Sequence, residues 1–270
     1  MTGRLRAFFD RPVAEAASSP EAAAHVQELL TALESGAVRA ASRDTAGAWT
    51  AHRWVKHGIL TAFRVSDLVA LPGWPGGAVD KSLVPARSWS VEDGVRVVPG
   101  GSAVRRGAHV APGVVVMPPS YVNVGAHVGS DSMVDSHVLV GSCAQVGARV
   151  HLSAAVQLGG VLEPGGARPV VVEDDAFVGA QCGLYEGVVV RSGAVLAPGV
   201  LLTSSTVLHD LVHGRTVTGE VPAGAVVVPG SRPARGEYAV EHGISLYAPV
   251  IVKYRDAGTD AATLLEEALR

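Results

Sequence analysis

From Val104 onward an aliphatic residue returns at every sixth position. Val110, Val116, Val122, Val128, Val134, Val140, Val146, Leu152 and Leu158 complete a run of ten. Four positions after each beat, up to Ala144, comes a small or branched residue: Ala108, Val114, Ser120, Ala126, Ser132, Val138, Ala144. After an interruption the beat resumes at Val172, Val178, Leu184, Val190, Leu196, Leu202 and Leu208. A fixed period of this length is the signature of a hexapeptide β-helix. Three hexapeptides make one triangular coil, so residues 18 apart stack ~4.8 Å apart in parallel strands. If the aliphatic residue is phase 0, phases 0 and 4 face inward. Phases 1 and 5 flank phase 0 on a strand whose side chains alternate, and so face out.

The pattern divides the chain into an N-terminal helical and mixed domain (1–100), a β-helix (101–230) and a C-terminal segment (231–270). The expected fold is therefore mostly β, and β-helices of this class are left-handed. In the first part, Ser19-Pro20-Glu21 reads as a helix start with Pro20 near the first turn. Val26, Leu29, Leu30 and Leu33 follow at helical spacing, and Gly36 reads as the stop. A second helix is expected over Arg53 to Phe63; Gly and Pro between Leu71 and Gly77 then break the chain before an irregular stretch reaching Pro99. Within the repeat, Gly159 to Pro169 shifts the phase by two and His209 to Glu220 shifts it again. Such insertions map to loops, which often bind ligands. After the repeat come a strand-like run at Pro249-Val250-Ile251-Val252 and an expected short helix from Ala261 to Leu269.

A net charge of −3 gives no basic footprint for nucleic acid. No apolar run reaches the ~18 residues of a membrane span. The N-terminus lacks the apolar core of a signal peptide. Two cysteines, Cys143 and Cys182, make no disulfide framework. A reduced, cytoplasmic protein is expected.

Met133-Val134-Asp135, Val140-Gly141-Ser142-Cys143-Ala144-Gln145, Val150-His151-Leu152-Ser153 and Gly159-Gly160-Val161-Leu162-Glu163-Pro164 together carry a resemblance. The chain resembles the tetrahydrodipicolinate N-succinyltransferase family, succinyl-CoA-dependent enzymes of diaminopimelate and lysine biosynthesis. Arg96-Val97-Val98-Pro99, Ser35-Gly36-Ala37-Val38-Arg39 and Val250-Ile251-Val252-Lys253 extend the likeness over nearly the whole chain. The resemblance implies a homotrimer with active sites between neighbouring β-helices. It also implies that Arg96 and Asp135 contact the acceptor, a small amino-dicarboxylate or amino acid. The sequence departs from the family where GARSEVVEG becomes Gly179-Ala180-Gln181-Cys182-Gly183-Leu184-Tyr185-Glu186-Gly187. Gly183 stands for a glutamate beside the acceptor amine, and Gln181 for an arginine. His137 stands for a tryptophan. These changes suggest a retained scaffold with a different acceptor or acyl group.

Transfer from a thioester to nitrogen needs an unprotonated amine, a polarised carbonyl and a destination for the departing proton. Asp135, at outward phase 1, is the candidate to orient the amine or take its proton; a turn aspartate held by backbone N–H groups is the plainer alternative. His137, at a corner, is a second candidate base. Arg96 suits a bidentate carboxylate contact. Ser153, stacked on Asp135, completes the acceptor wall with Gln181 and Gly183. No tightly bound cofactor is expected; succinyl-CoA or another acyl-CoA serves as co-substrate, its phosphates meeting Arg232, Arg235 and Lys253. His109 and His127 should stack on one outer face, but Gln145 follows in that column. Two ligands do not make a zinc site, so a wet surface or a trimer contact is expected there and no metal. Cys182, at phase 4, and Cys143, at a corner, read as packing residues. A zinc lyase and a non-catalytic scaffold are the competing classes.

Overall fold

The aliphatic beat closes into three flat faces in the computed structural model, which describes residues 2–73 and 77–256. One face stacks His109–Val110, His127–Val128, Gln145–Val146, Val171–Val172, Val189–Val190 and Glu220–Val221 in register. The second stacks Arg96–Val97, Val115–Val116, Met133–Val134, His151–Leu152, Phe177–Val178, Val195–Leu196 and Ala225–Val228. The third stacks Ala103–Val104, Tyr121–Val122, Leu139–Val140, Gln157–Leu158, Gly183–Leu184 and Leu201–Leu202. We call them the histidine face, the groove face and the shelf face. Phases 0 and 4 fill the prism: Val134, Val140, Val146, Leu152 and Leu158 are fully buried, and Ala108, Ser120, Ser132, Val138 and Ala144 are buried between them.

Most corners take a left-handed backbone at phase 3. Asp131, His137, Cys143, Arg149, Ala155, Asp175 and Gln181 all hold φ between 53° and 65°. Histidine and aspartate are among the residues that tolerate this region best, which by itself accounts for the residue type at His137. The first rung, Arg96–Val97, lies earlier than the beat suggests. Val104 comes seven positions after Val97, and the extra one hides that rung from a strict period of six.

Four helices cap one corner of the prism: α1 (Thr2–Phe9), α2 (Val13–Ser18), α3 (Ala22–Glu34) and α4 (Arg53–Val65). The third begins two residues after Pro20, and the chain turns at Gly36 with φ 76°. The sequence pattern missed α1, α2 and a hairpin, Leu68–Leu71 with Ala78–Lys81, whose second strand falls in the stretch expected to be irregular. Leu5, Phe9, Val26, Leu29, Leu30 and Ile59 form a second core that takes in Val124 and Cys143 from the corners of the coil. A Cβ on Gly58 would lie 2.2 Å from Leu29 and 3.2 Å from Phe9, so glycine is what lets α4 approach its neighbours.

This domain covers the histidine face, correcting the expected wet surface or trimer contact. His109 and His127 stack with ring centroids 4.4 Å apart, as their 18-residue spacing requires. His109 Nδ1 is 2.8 Å from the carbonyl of Glu34 at the end of α3. Arg39 donates to Gln145, and Trp49 donates to Glu173 at 2.8 Å. Burial pushes His127 down to about 3, so it is a neutral packing residue. Among the described residues no group of three or more His, Cys, Asp or Glu side chains could hold a metal.

At the far end, Val250–Tyr254 runs antiparallel to Ala225–Val228 and extends the groove face. Asp210 ties that strand to the hairpin beside it, accepting from Tyr254 Oη at 2.9 Å and Arg215 Nε at 3.1 Å. Residues 261–269, where a helix is expected, lie outside the described residues. No helix among the described residues is long and apolar enough to cross a membrane.

Candidate active site

Phases 1 and 5 of the groove face line an open groove of about 630 Å³. Its floor is built by period alone: Met117, Met133, His151 and Phe177 stand on successive rungs. His151 and Phe177 stack with ring centroids 4.7 Å apart and planes 8° from parallel. The polar groups at the edge are Arg96, Asp135 and Ser153. Three of the proposed acceptor-site residues therefore share one groove. The outward phase that singled out Asp135 applies equally to Met117, Met133 and His151; reading the whole column would have included them.

Asp135 Oδ1 accepts the backbone N–H of Ser136 at 2.7 Å. Its own carbonyl accepts the inward hydroxyl of Ser120 at 2.7 Å, which fixes the turn from inside. That single contact occupies one carboxylate oxygen. The Ser153 hydroxyl, one rung on, is buried and has no hydrogen-bond partner among the described residues. Buried hydroxyls rarely lack a partner, and water, an ion or a bound ligand can supply one. Arg96 lies two rungs below Asp135, roughly 10 Å along the axis at the strand spacing. It is exposed, and no salt bridge involves it among the described residues.

The other expected site residues fall elsewhere. His137 is exposed on the corner beyond Asp135 and does not line the groove. Gln181 projects from the same corner as His137, two rungs up. Gly183 is around that corner, on the shelf face, buried under the ring of Tyr185. Strand alternation correctly makes both Asp135 and Gly183 outward, but outward from different faces. Lys253 lies on the groove face five strands beyond Asp135, roughly 24 Å along the axis, and pairs with Asp256 at 3.3 Å. Arg232, on the hairpin Ser231–Pro233 with Ser245–Tyr247, and Arg235 after it, are exposed and away from the groove.

A second pocket, of about 440 Å³, opens on the shelf face. The loop 159–169 walls it, together with Tyr185 and Glu186. Lys56 of α4, itself fully buried, holds this loop by donating to the carbonyl of Ala167. Gly165 rests against Arg53 and His57 of the same helix. The groove lies toward the edge between the groove and shelf faces, and the shelf pocket lies past the ends of the shelf strands, beside α4. Neither cysteine serves these sites as a nucleophile: burial pushes Cys143 up to about 12 and Cys182 up to about 11.

Known proteins resemble this chain over nearly its whole length. A family model for the N-terminal region of tetrahydrodipicolinate N-succinyltransferase matches residues 5–65, the region of α1 to α4. A second, for the hexapeptide repeat of succinyl-transferases, matches residues 169–204. A 2,3,4,5-tetrahydropyridine-2,6-dicarboxylate N-succinyltransferase of Rhodopseudomonas palustris (strain TIE-1) is 44% identical over 98% of this chain and 96% of its own. The chain belongs to the tetrahydrodipicolinate N-succinyltransferase family. Relatives of the same name from Nitrobacter hamburgensis and Methylobacterium nodulans are 44% and 45% identical, covering 98% and 91% of the chain and 95% and 89% of their own lengths. Membership makes the protein an acyltransferase with the left-handed β-helix expected from its period. Gln181 stands on the edge between groove and shelf, and Gly183 just beyond it on the shelf face.

Proposed function

We propose that the protein transfers a succinyl group from succinyl-CoA to the amino group of the dicarboxylate derived from tetrahydropyridine-2,6-dicarboxylate. The observation that carries this reading is the convergence of Arg96, Asp135 and the unpartnered Ser153 hydroxyl on one groove. Arg96 would hold an acceptor carboxylate through paired N–H donors. Asp135 would orient the amine with its unengaged oxygen. The amine attacks the thioester carbonyl, a C–N bond forms and the C–S bond breaks; the amine proton passes to Asp135 or solvent as the CoA thiolate leaves and is protonated. The exposed cations Arg232, Arg235 and Lys253 at the far end suit the CoA phosphates. His137 would act only through an acceptor that reaches past the corner.

The same reading takes the assembly as a homotrimer. Leu201 is 50% exposed beside Tyr185, with Val207, Leu246 and Tyr247 also in solvent. An apolar surface of this kind marks an interface, and closing it would set the groove of one copy against the shelf of the next. The free, buried cysteines suit a reducing cytoplasm. A second reading keeps the transfer but changes the acceptor, and the bare backbone at Gly183 favours it.

The test offers purified protein succinyl-CoA or acetyl-CoA with tetrahydrodipicolinate or a panel of amino acids, and follows free CoA. Succinyl transfer to tetrahydrodipicolinate supports the first reading; turnover only with other amines supports the second. Asp135→Ala should cut kcat at least about a hundredfold; unchanged transfer would remove Asp135 from the chemistry.

A further inference from the structure

Two glycines on the shelf face leave a bare strip of backbone, and one aromatic ring lies across both. A Cβ on Gly183 would meet Tyr185 Cε2 at 2.7 Å, Leu201 Cδ2 at 2.8 Å and the Tyr185 hydroxyl at 2.9 Å. A Cβ on Gly159, on the adjoining rung, would meet Tyr185 Cδ1 at 2.8 Å. The ring thus occupies the space that a side chain from either position would need. Positions 183 and 185 are two apart on one strand and point to the same side.

The phenol is poised for a ligand. Tyr185 is 38% exposed, it lines the shelf pocket, and its hydroxyl has no hydrogen-bond partner among the described residues. Backbone on its underside and Leu201 at its edge restrict the ring, so the hydroxyl sits at a defined height above Gly183. A carboxylate at this point can only accept hydrogen bonds and adds a negative charge. A phenol can donate as well as accept, and adds none.

We propose that Tyr185 determines acceptor specificity, its hydroxyl donating to a carboxylate or keto oxygen of the acceptor in the space a carboxylate side chain from position 183 would fill. This rests on the acyl-transfer reading and on the groove of one copy meeting the shelf of another. In this arrangement Asp135 faces the acceptor amine and Tyr185 faces an acceptor oxygen.

Steady-state kinetics of Tyr185→Phe test this, with succinyl-CoA and whichever acceptor the wild type uses. The expected result is an acceptor KM raised about tenfold, the loss of one hydrogen bond to a charged oxygen, with the KM for succinyl-CoA within about twofold of wild type. Gly183→Ala, which must displace the ring, should raise the acceptor KM in the same way while thermal melting stays close to wild type. An unchanged acceptor KM in Tyr185→Phe, or an equal rise in the KM for succinyl-CoA, overturns the assignment while leaving acyl transfer standing. A wild-type protein that transfers no acyl group to any acceptor overturns the transfer reading and this assignment with it.

Discussion

Ser153→Ala separates a structural hydroxyl from a functional one, because the two make opposite predictions. Ser153 is 8% exposed, and its Oγ has no partner among the described residues. Its backbone N–H donates to Val178 O at 2.9 Å, and Val156 N donates to its carbonyl at 3.2 Å; alanine keeps both. A buried hydroxyl without a hydrogen bond costs the folded state about 1–3 kcal/mol. Alanine removes that group and opens a gap of one oxygen atom, too small to offset the gain. The variant should be more stable by about 1 kcal/mol, or about 2–3 °C in Tm for a chain of this size. In the complex the same hydroxyl has a partner, and its loss costs about 0.5–1.5 kcal/mol, which is about 2–12-fold in kcat/KM for the acceptor. Urea melts and initial rates on the two proteins measure both quantities. A variant destabilised by 1 kcal/mol or more, with kcat/KM unchanged, would mean that Oγ is satisfied inside the fold, and the argument from its isolation would fail.

Two further outcomes follow from burial of titratable groups. His127 is held down to about 3 in the folded protein against about 6.5 in an unfolded chain. Its contribution is present in full above pH 6.5 and is lost as pH falls, because the unfolded chain gains the proton first. The cost is at most about 1.4 kcal/mol per pH unit below 6.5. His109 is lowered in the same direction. Stability from urea melts should therefore drop between pH 7.5 and 5.5, and His127→Gln should flatten the drop; equal slopes for the two proteins would contradict this placement. Cys143 and Cys182 are fully buried, and burial raises both well above the usual thiol range. A thiol reagent at pH 8 should modify neither in the native protein and both after unfolding, since the thiolate is the reacting species. Rapid labelling of the native protein would show that the coil opens locally.

The period of the aliphatic residues was sufficient for the coil, its inward rungs and the outward direction of Asp135. Those properties depend on neighbours along the strand and on residues 18 apart, both visible as spacing. The same arithmetic places His109 over His127 and Ser153 over Asp135. Period could not say what lies against a face. The histidine column reads as wet until α3 and Arg39 are seen packed on it, because that contact joins segments seventy or more residues apart with no shared repeat. The rung at Arg96 was hidden by one extra residue, and α1 and α2 are too short to carry a helical period. Whether two outward side chains belong to one face is also a tertiary matter: Asp135 and Gly183 differ by a turn of the prism edge. The ring of Tyr185 over Gly183 was decided by side-chain volume in three dimensions. Spacing records which way a residue points, and only packing records what it meets there.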